Sequence, residues 1–363
     1  MIKVLNILSS LDGGGVEMML TNYYNHFPND DITFDFAVYG NKIGILEENL
    51  KRKGSKIYHL TPKKTNLFKN IKELINIITN EYDIIYCHQN FISWIPLFIA
   101  KCKKIKVRIV HSHGCNPPKG IIKRIYNSIC RKLLFINATN FFACGKSASI
   151  WLYGKKWKEQ YPKNVIIHNA INLDKFSFSS NIRAQLRKKY DVQDKICLFH
   201  AGRFSYEKNH KFLIDLISKM PNDKYCLILA GTGDLFDEIK DYSNKLNVKN
   251  VIFLGIRKDV NNFYSMADCF LLPSYHEGFP VTLVEAQMSG LKCIASTNVS
   301  SETKILSKTK FLSLNDLDRW IDEIKNIDTS DRKSEYEKLK NSGFDIKSES
   351  IKFYELLKEL CKK

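Results

Sequence analysis

The sequence has no apolar run long enough to span a bilayer. Its longest uncharged apolar stretch, Phe91 to Ala100, falls well short of the ~20 residues a spanning helix needs. No basic segment followed by a small-residue cleavage site opens the chain, and the stretch from Ile2 to Leu8 reads as a buried strand instead of a leader. The ten cysteines are scattered through apolar patterns and none forms a CxxC pair. That argues against a zinc site or a disulfide framework and predicts a reduced, cytoplasmic setting. No short repeat or low-complexity tract stands out. Acid is also missing over a long interval: from Ile84 to Lys158 there is no Asp or Glu, against 14 Lys and Arg.

That deficit belongs to a wider asymmetry. The net charge is +18, and residues 1–168 alone hold 25 Lys and Arg against 11 Asp and Glu. Lys101, Lys103, Lys104, Lys106 and Arg108 form a basic connector. Residues 118–136 mix cations with Ile121, Ile122, Ile125, Ile129, Leu133 and Leu134 at helical spacing. Such a helix suits an anionic membrane surface. Taken by itself, it suits equally a core-facing helix with a solvated basic face. The acid-free run around it favours an anionic partner. Nucleic acid would match the charge, but no nucleic-acid motif appears and the cations are not interleaved with a stacking platform.

A chain of 363 residues, 44% apolar and 26% charged, is the size of about two ordinary globular domains. Strand-like runs at Val4–Leu8, Phe34–Val38, Ile57–Leu60, Ile84–His88, Val107–His111, Asn140–Cys144 and Val165–His168 are mostly separated by helical patterns, among them Val16–His26, Ile43–Lys53 and Leu67–Asn80. A second series runs through Cys197–Ala201, Cys226–Ala230, Val251–Leu254, Cys269–Pro273 and Cys293–Ala295. The alternation predicts the α/β class, with two doubly wound Rossmann-like domains facing a central cleft. The first domain is placed at 1–170 and the second at 190–346. The polar stretch 169–194 reads as the link between them. The last helix, about 347–363, has no clear place in the second sheet and is left to pack back on the first domain.

Two glutamates eight residues apart carry the strongest chemical signal. Glu277 and Glu285 lie in EGFPVTLVEAQMSG, where an apolar strand runs into a loop and the loop into a helix. Ligands of open α/β sheets bind at the carboxyl ends of strands, and the first turn of a helix offers unpaired amides and a positive dipole end to an anion. Two carboxylates able to accept from hydroxyls, flanking an anion cradle, suit a sugar joined to a phosphate. Upstream, AGRFSYEKNH sets Arg203 and Lys208 after a strand, with Gly202 allowing a tight turn. A forked guanidinium and a point-charge ammonium suit a diphosphate, although in isolation both would read as surface cations. Two further turns follow strands: AGTGD at 230–234 and LGIRKDV at 254–260.

Together and in this order, AGRFSYEKNH, AGTGD, FLGIRKDV and PSYHEGFPVTLVEAQMSGLKCIAS resemble the retaining glycosyltransferases of GT-B fold, family 4. The resemblance covers nearly the whole chain. The SSLDGGGVEMMLTNYY opening and the IVHSHG segment bring it near enzymes of bacterial capsule and exopolysaccharide assembly. It implies that Arg203 and Lys208 bind the donor diphosphate and stabilise the leaving group, that Glu277 accepts from hydroxyls of the transferred sugar, and that Glu285 takes the ribose hydroxyls. It implies that Gly278, Phe279 and Pro280 line the sugar, that the amides near Thr282 and Leu283 face the phosphates, and that Gly231 and Gly202 belong to the donor-side turns. Ile256 and Arg257 lie where the family holds the base. In the first domain the Gly13-Gly14-Gly15 loop approaches the donor phosphates or the acceptor, Glu17 follows on the first helical turn, and His113 contacts the sugar. His111 competes with His113, but strand alternation favours a core role for it.

The implied reaction is hexosyl transfer from a nucleotide sugar, UDP-linked by family habit, to an undecaprenyl-diphosphate-linked saccharide at the inner face of the membrane. It needs no cofactor and no metal, and the sequence has no DxD-like cluster in a suitable place. Two rival readings are a non-hydrolysing nucleotide-sugar epimerase and a non-catalytic partner of a second transferase. The scarcity of acids in the first domain argues against the epimerase. The presence of all four of Arg203, Lys208, Glu277 and Glu285 argues against a silent copy.

Overall fold

The computed structural model describes residues 1–114, 120–155, 164–277, 279–328 and 332–362. The chain forms two compact units. One comprises Met1–Ala170 with Ile346–Lys363, and the other Ile171–Asp345.

In the first unit, β1 (Ile2–Ile7), β2 (Ile32–Tyr39), β3 (Ile57–Leu60), β4 (Ile84–Cys87), β5 (Val107–Ser112), β6 (Asn140–Ala143) and β7 (Asn164–Ile166) form one sheet in the order β3-β2-β1-β4-β5-β6-β7. All its ladders are parallel. The second unit repeats the plan with β8 (Ile196–Ala201), β9 (Tyr225–Ala230), β10 (Val251–Gly255), β11 (Cys269–Leu272), β12 (Lys292–Ser296) and β13 (Thr309–Leu312), in the order β10-β9-β8-β11-β12-β13. Both are doubly wound sheets. Parallel sheets of this kind are covered on both faces, so their central strands are largely apolar and do not alternate cleanly. Val4, Leu5 and Ile7 of β1 and Cys269 to Leu272 of β11 have no exposed surface. Strand order reverses between β1 and β4, and again between β8 and β11. The loops that leave the carboxyl ends at these two points form the natural ligand crevices.

Two expectations need correction, one strand was not foreseen, and one expected helix turns its apolar stripe outward. The polar stretch 169–194 is not a free link, because its greater part, from Ile171 on, belongs to the second unit and holds the helix Ser180–Lys189. Arg183 and Arg187 of that helix both pair with the buried Asp268, at 2.5 and 3.0 Å, so the charges of these two arginines are spent inward. The helix anticipated over Ile43–Lys53 is confined to Glu47–Arg52. The Glu47 carboxylate accepts from the amide of Gly44 at 2.9 Å and fixes the turn there, which leaves Ile43 and Ile45 exposed. The strand β13 was not foreseen, because its short TKFL run reads as polar. Finally, the helix expected over 118–136 spans Ile121–Asn137 but buries Asn127, Cys130, Leu134 and Asn137. Leu134 meets the core, whereas Ile121, Ile122, Ile125 and Ile129 are 55–83% exposed.

The C-terminal helix, Ile346–Lys362, returns to the first unit and packs on the helix Gly15–Asn25. Phe353 meets the Tyr23 ring edge-on at 5.2 Å. The Tyr354 hydroxyl donates to Asp31, and the hydroxyl of Ser350 to the carbonyl of His26.

Candidate functional site

In the second unit the loops after β8 and β11 meet at the point of strand reversal. After β8 the chain turns through Gly202, Arg203 and a short 3-10 turn at Tyr206–Lys208, then enters the helix His210–Ser218 through Asn209 in the left-handed region (φ 54°). After β11 it runs through Ser274 and Glu277 to Pro280, which caps the helix Val281–Met288. The Lys208 ammonium forms a direct ion pair with Glu277 Oε1, both side chains being largely buried. The Ser274 hydroxyl donates to the same carboxylate oxygen at 3.1 Å. Backbone pairing with Val299 holds Glu277 in place.

Glu285 lies one turn into the Val281–Met288 helix. The Tyr264 hydroxyl donates to its Oε2 at 2.5 Å. Burial pushes its pKa up to about 7, against the opposing pull of that hydroxyl and of the Lys175 and Lys208 charges. Thr282, in the first turn, has a buried hydroxyl oxygen with no hydrogen-bond partner among the described residues. Leu283 is fully buried, and its amide bonds to the Pro280 carbonyl at 3.2 Å. Phe279 is buried and stacks on Phe344 at 5.4 Å. Gly278 lies outside the described residues.

The turns after β8, β9 and β10 are laced together by backbone bonds: Gly202 N to Ala230 O, Phe204 N to Thr232 O and Gly231 N to Gly255 O, at 2.9–3.0 Å. Gly231 has φ +132°, and a Cβ there would lie 2.0 Å from the Gly202 carbonyl oxygen, so the close approach excludes any side chain. Arg203 is exposed and pairs with Asp234 at 3.1 Å. It does not join Lys208 and Glu277. Arg257 is held by both oxygens of Asp259 at 2.8 Å, and Ile256 beside it is 78% exposed.

In the first unit the glycine loop after β1 has Gly13 at φ +86° and Gly14 as the cap of the Gly15–Asn25 helix. Glu17 is buried in its first turn and accepts from Ser10 Oγ at 3.2 Å, and burial raises its carboxyl pKa. His113 follows β5. Its Nε2 lies 2.8 Å from Nδ1 of His88, which follows β4, and its ring is 3.8 Å from that of His111. His111 is fully buried against the Tyr86 hydroxyl, Nδ1 to Oη being 2.6 Å. Burial lowers the pKa of His113 to about 3 and holds His88 and His111 well below the usual range, so all three are neutral near pH 7. Their ligating atoms lie within 4.8 Å of one another, a spacing that could hold a metal ion.

Residues 182–342 match the family of glycosyl transferases group 1, an interval that falls within the second unit. The second unit is a group 1 glycosyl transferase domain. The whole chain is 28% identical over 309 residues to EpsF of Bacillus subtilis (strain 168), covering 83% of this chain and 80% of that one. It is 24% identical over 333 residues to the UDP-Gal:alpha-D-GlcNAc-diphosphoundecaprenol alpha-1,3-galactosyltransferase of Escherichia coli, covering 85% and 83%. Among solved structures, Anabaena HepE in complex with UDP-glucose aligns over 99% of this chain and 100% of its own, with a TM-score of 0.77 at 18% identity. The fold is GT-B.

Within the group 1 domain, sequence reasoning singled out Lys208 and Glu277 separately but did not foresee their ion pair. Their contact depends on β8 and β11 being neighbours, although some 70 residues of sequence separate them. Of the residues that bond the two glutamates, Tyr264 lies outside the quoted motifs and Ser274, inside PSYHEGFP, was not singled out. In the first unit His88 was missed. It ends a strand run as His111 ends the next, and that parallel ending was the available sign. Lys63 was missed as well. It donates to Gln89 Oε1 at 2.7 Å beside the Tyr39 hydroxyl, and burial lowers its pKa to about 8.

Proposed function

We propose that this protein is a retaining hexosyltransferase that moves a sugar from a UDP-sugar to an undecaprenyl-diphosphate-linked saccharide in the assembly of a cell-surface polysaccharide (capsule, exopolysaccharide or O-antigen). The observation that carries this reading is the Lys208–Glu277 pair at the strand-reversal point of the group 1 domain, beside the amino end of the Val281–Met288 helix. The E. coli relative's name supplies the donor and acceptor classes, and the HepE complex the donor class.

As the glycosidic bond breaks, negative charge gathers on the leaving diphosphate. Lys208, the amides of the helix start and the exposed Arg203 stabilise that charge more than they stabilise the bound donor, which is what lowers a barrier. The unpartnered Thr282 hydroxyl is a further donor for a phosphate oxygen. Glu277 accepts from hydroxyls of the transferred sugar, and Lys208 and Ser274 hold it in one orientation. Glu285 accepts from the ribose. A double displacement would need a carboxylate nucleophile on the opposite sugar face, and Glu277 is tied up by its ion pair. The acceptor hydroxyl therefore attacks on the leaving-group side, and a phosphate oxygen of the leaving UDP takes its proton. His113, neutral, offers one ring nitrogen as a donor and one as an acceptor. The cations above carry the charge stabilisation, so no metal is assigned to the reaction.

The first unit takes the lipid-linked end of the acceptor. Its exposed Ile121, Ile122, Ile125 and Ile129, interleaved with exposed Lys123, Arg124 and Lys132, would seat it on the anionic cytoplasmic face of the membrane. Among the described residues no helix is long and apolar enough to cross a membrane. The test is incubation with UDP-hexoses and lipid-linked saccharides, followed by NMR of the product. The reading expects a new glycosidic bond with the donor's anomeric configuration. An inverted linkage, or epimerised UDP-sugar formed without acceptor, would overturn it.

A further inference from the structure

We propose that Tyr206 and Tyr275 form a platform on the group 1 domain that binds a pyranose ring of the acceptor saccharide. This rests on the transferase reading above and adds a subsite to it. The two rings stack with centroids 4.9 Å apart and planes 25° from parallel. They are nevertheless 71% and 42% exposed, so the stack stands in solvent and is not part of a core. Tyrosines, with an apolar ring and a polar tip, are enriched at interfaces, where one end is apolar and the other wet.

Its position is fixed by the reacting groups. Tyr206 opens the 3-10 turn that ends in Lys208, and Tyr275 lies two residues before Glu277. The amide of Tyr275 donates to the carbonyl of Glu207 at 2.8 Å, which ties the two loops together. The Lys208–Glu277 ion pair ties them again. The platform is thus anchored at both edges to the place where the sugar bond is made.

The chemistry of the surface selects the ligand. An aromatic face carries partial negative charge, and the axial C–H bonds of a pyranose present a flat, weakly positive face to it. A phosphate gains nothing there and goes to Lys208 and the helix amides. The donor's own groups are provided for elsewhere: its hexose at Glu277, its ribose at Glu285, its base near Ile256 and Arg257. That last loop follows β10, two strands away from β8 in the sheet, or roughly 10 Å at ordinary strand spacing. A base held there does not reach the tyrosines. The ring left to place is the acceptor sugar, whose hydroxyl must come up beside Glu277.

The test measures binding instead of turnover, using the full chain saturated with UDP. The probes are farnesyl diphosphate carrying N-acetylglucosamine or galactose, against farnesyl diphosphate alone. The wild type is expected to bind at least one sugar-bearing probe more tightly than the bare lipid. Tyr206→Ala and Tyr275→Ala should each weaken that preference, by roughly tenfold for a lost stacking surface. UDP affinity and melting temperature should stay as in the wild type, and Tyr206→Phe should keep the preference. A sugar preference that survives both alanine variants would overturn the platform. So would a wild type with no preference, or a loss of UDP affinity in step with saccharide affinity. Failure of the transferase reading shows separately, as a chain that does not bind UDP-sugars.

Discussion

At the scale of single residues, the two glutamates have different environments and so different behaviour. Glu277 is paired with an ammonium and a hydroxyl. Glu285 is half-buried, and burial pushes its pKa up to about 7 from an ordinary 4.5. Between those two values the folded chain holds a proton that the unfolded chain has released, so this group's contribution to stability falls as pH rises through that window and levels off above about 7. Ribose hydroxyls donate best to the ionised form. UDP affinity should therefore climb between about pH 6 and 8, and Glu285→Gln should bind more weakly and lose that part of the slope, as read by calorimetry across the range. A slope unchanged by the substitution would remove Glu285 from the ribose. The positions of Glu277, Glu285 and Lys208 in the turns after β8 and β11 follow strand–loop–helix punctuation that is legible in the sequence, whereas the expected pairing of Arg203 with Lys208 gives way to an ion pair with Asp234. The partners are not legible there. Tyr264, the partner of Glu285, and Asp234, the partner of Arg203, are brought to them by the fold, which no local pattern encodes.

At the scale of elements, the Val281–Met288 helix is positioned by a residue that binds no substrate. Gln287 is fully buried. It donates to the carbonyls of Leu283 and Thr303, and accepts from the amides of Ile305 and Leu306 and from the Thr309 hydroxyl, all at 2.8–3.0 Å. One side chain thus satisfies the chain segment that leads into β13. Gln287→Leu would strand several buried polar groups at once and should cost about 3 kcal/mol, read as a melting point lower by roughly 6–12 °C. A loss under about 1 kcal/mol would mean the segment finds other partners. The same network explains why β13 escaped sequence reading. Thr309 is buried because Gln287 meets it, not because it is apolar. The isoleucines of the Ile121–Asn137 helix show the converse. Their spacing marked a helix correctly, but spacing alone could not say that the apolar stripe faces outward.

At the scale of the whole molecule, the chain leaves its first unit at Ala170 and returns to it at Ile346. Phe353, Tyr354 and Leu357 are at most 1% exposed in the core of that unit. Burying three such side chains contributes on the order of 5 kcal/mol, comparable with the net stability of a domain. A chain ending at Asp345 should lose the cooperative melting of the first unit while the group 1 domain still melts as a unit, which calorimetry would resolve as one transition in place of two. The charge asymmetry acts at this scale too. Binding to vesicles containing anionic lipid should fall as salt rises, at about 1 kcal/mol per well-placed cation, and Ile122→Asp with Ile125→Asp should weaken it further. Equal binding to neutral and anionic vesicles would contradict the membrane assignment. The central claim is that Glu277 serves the transferred sugar and not the nucleotide. It is tested most directly by measuring sugar transfer and UDP affinity side by side in Glu277→Ala. The account predicts turnover lower by about 10²–10³-fold with UDP affinity nearly unchanged, and undiminished turnover would contradict it.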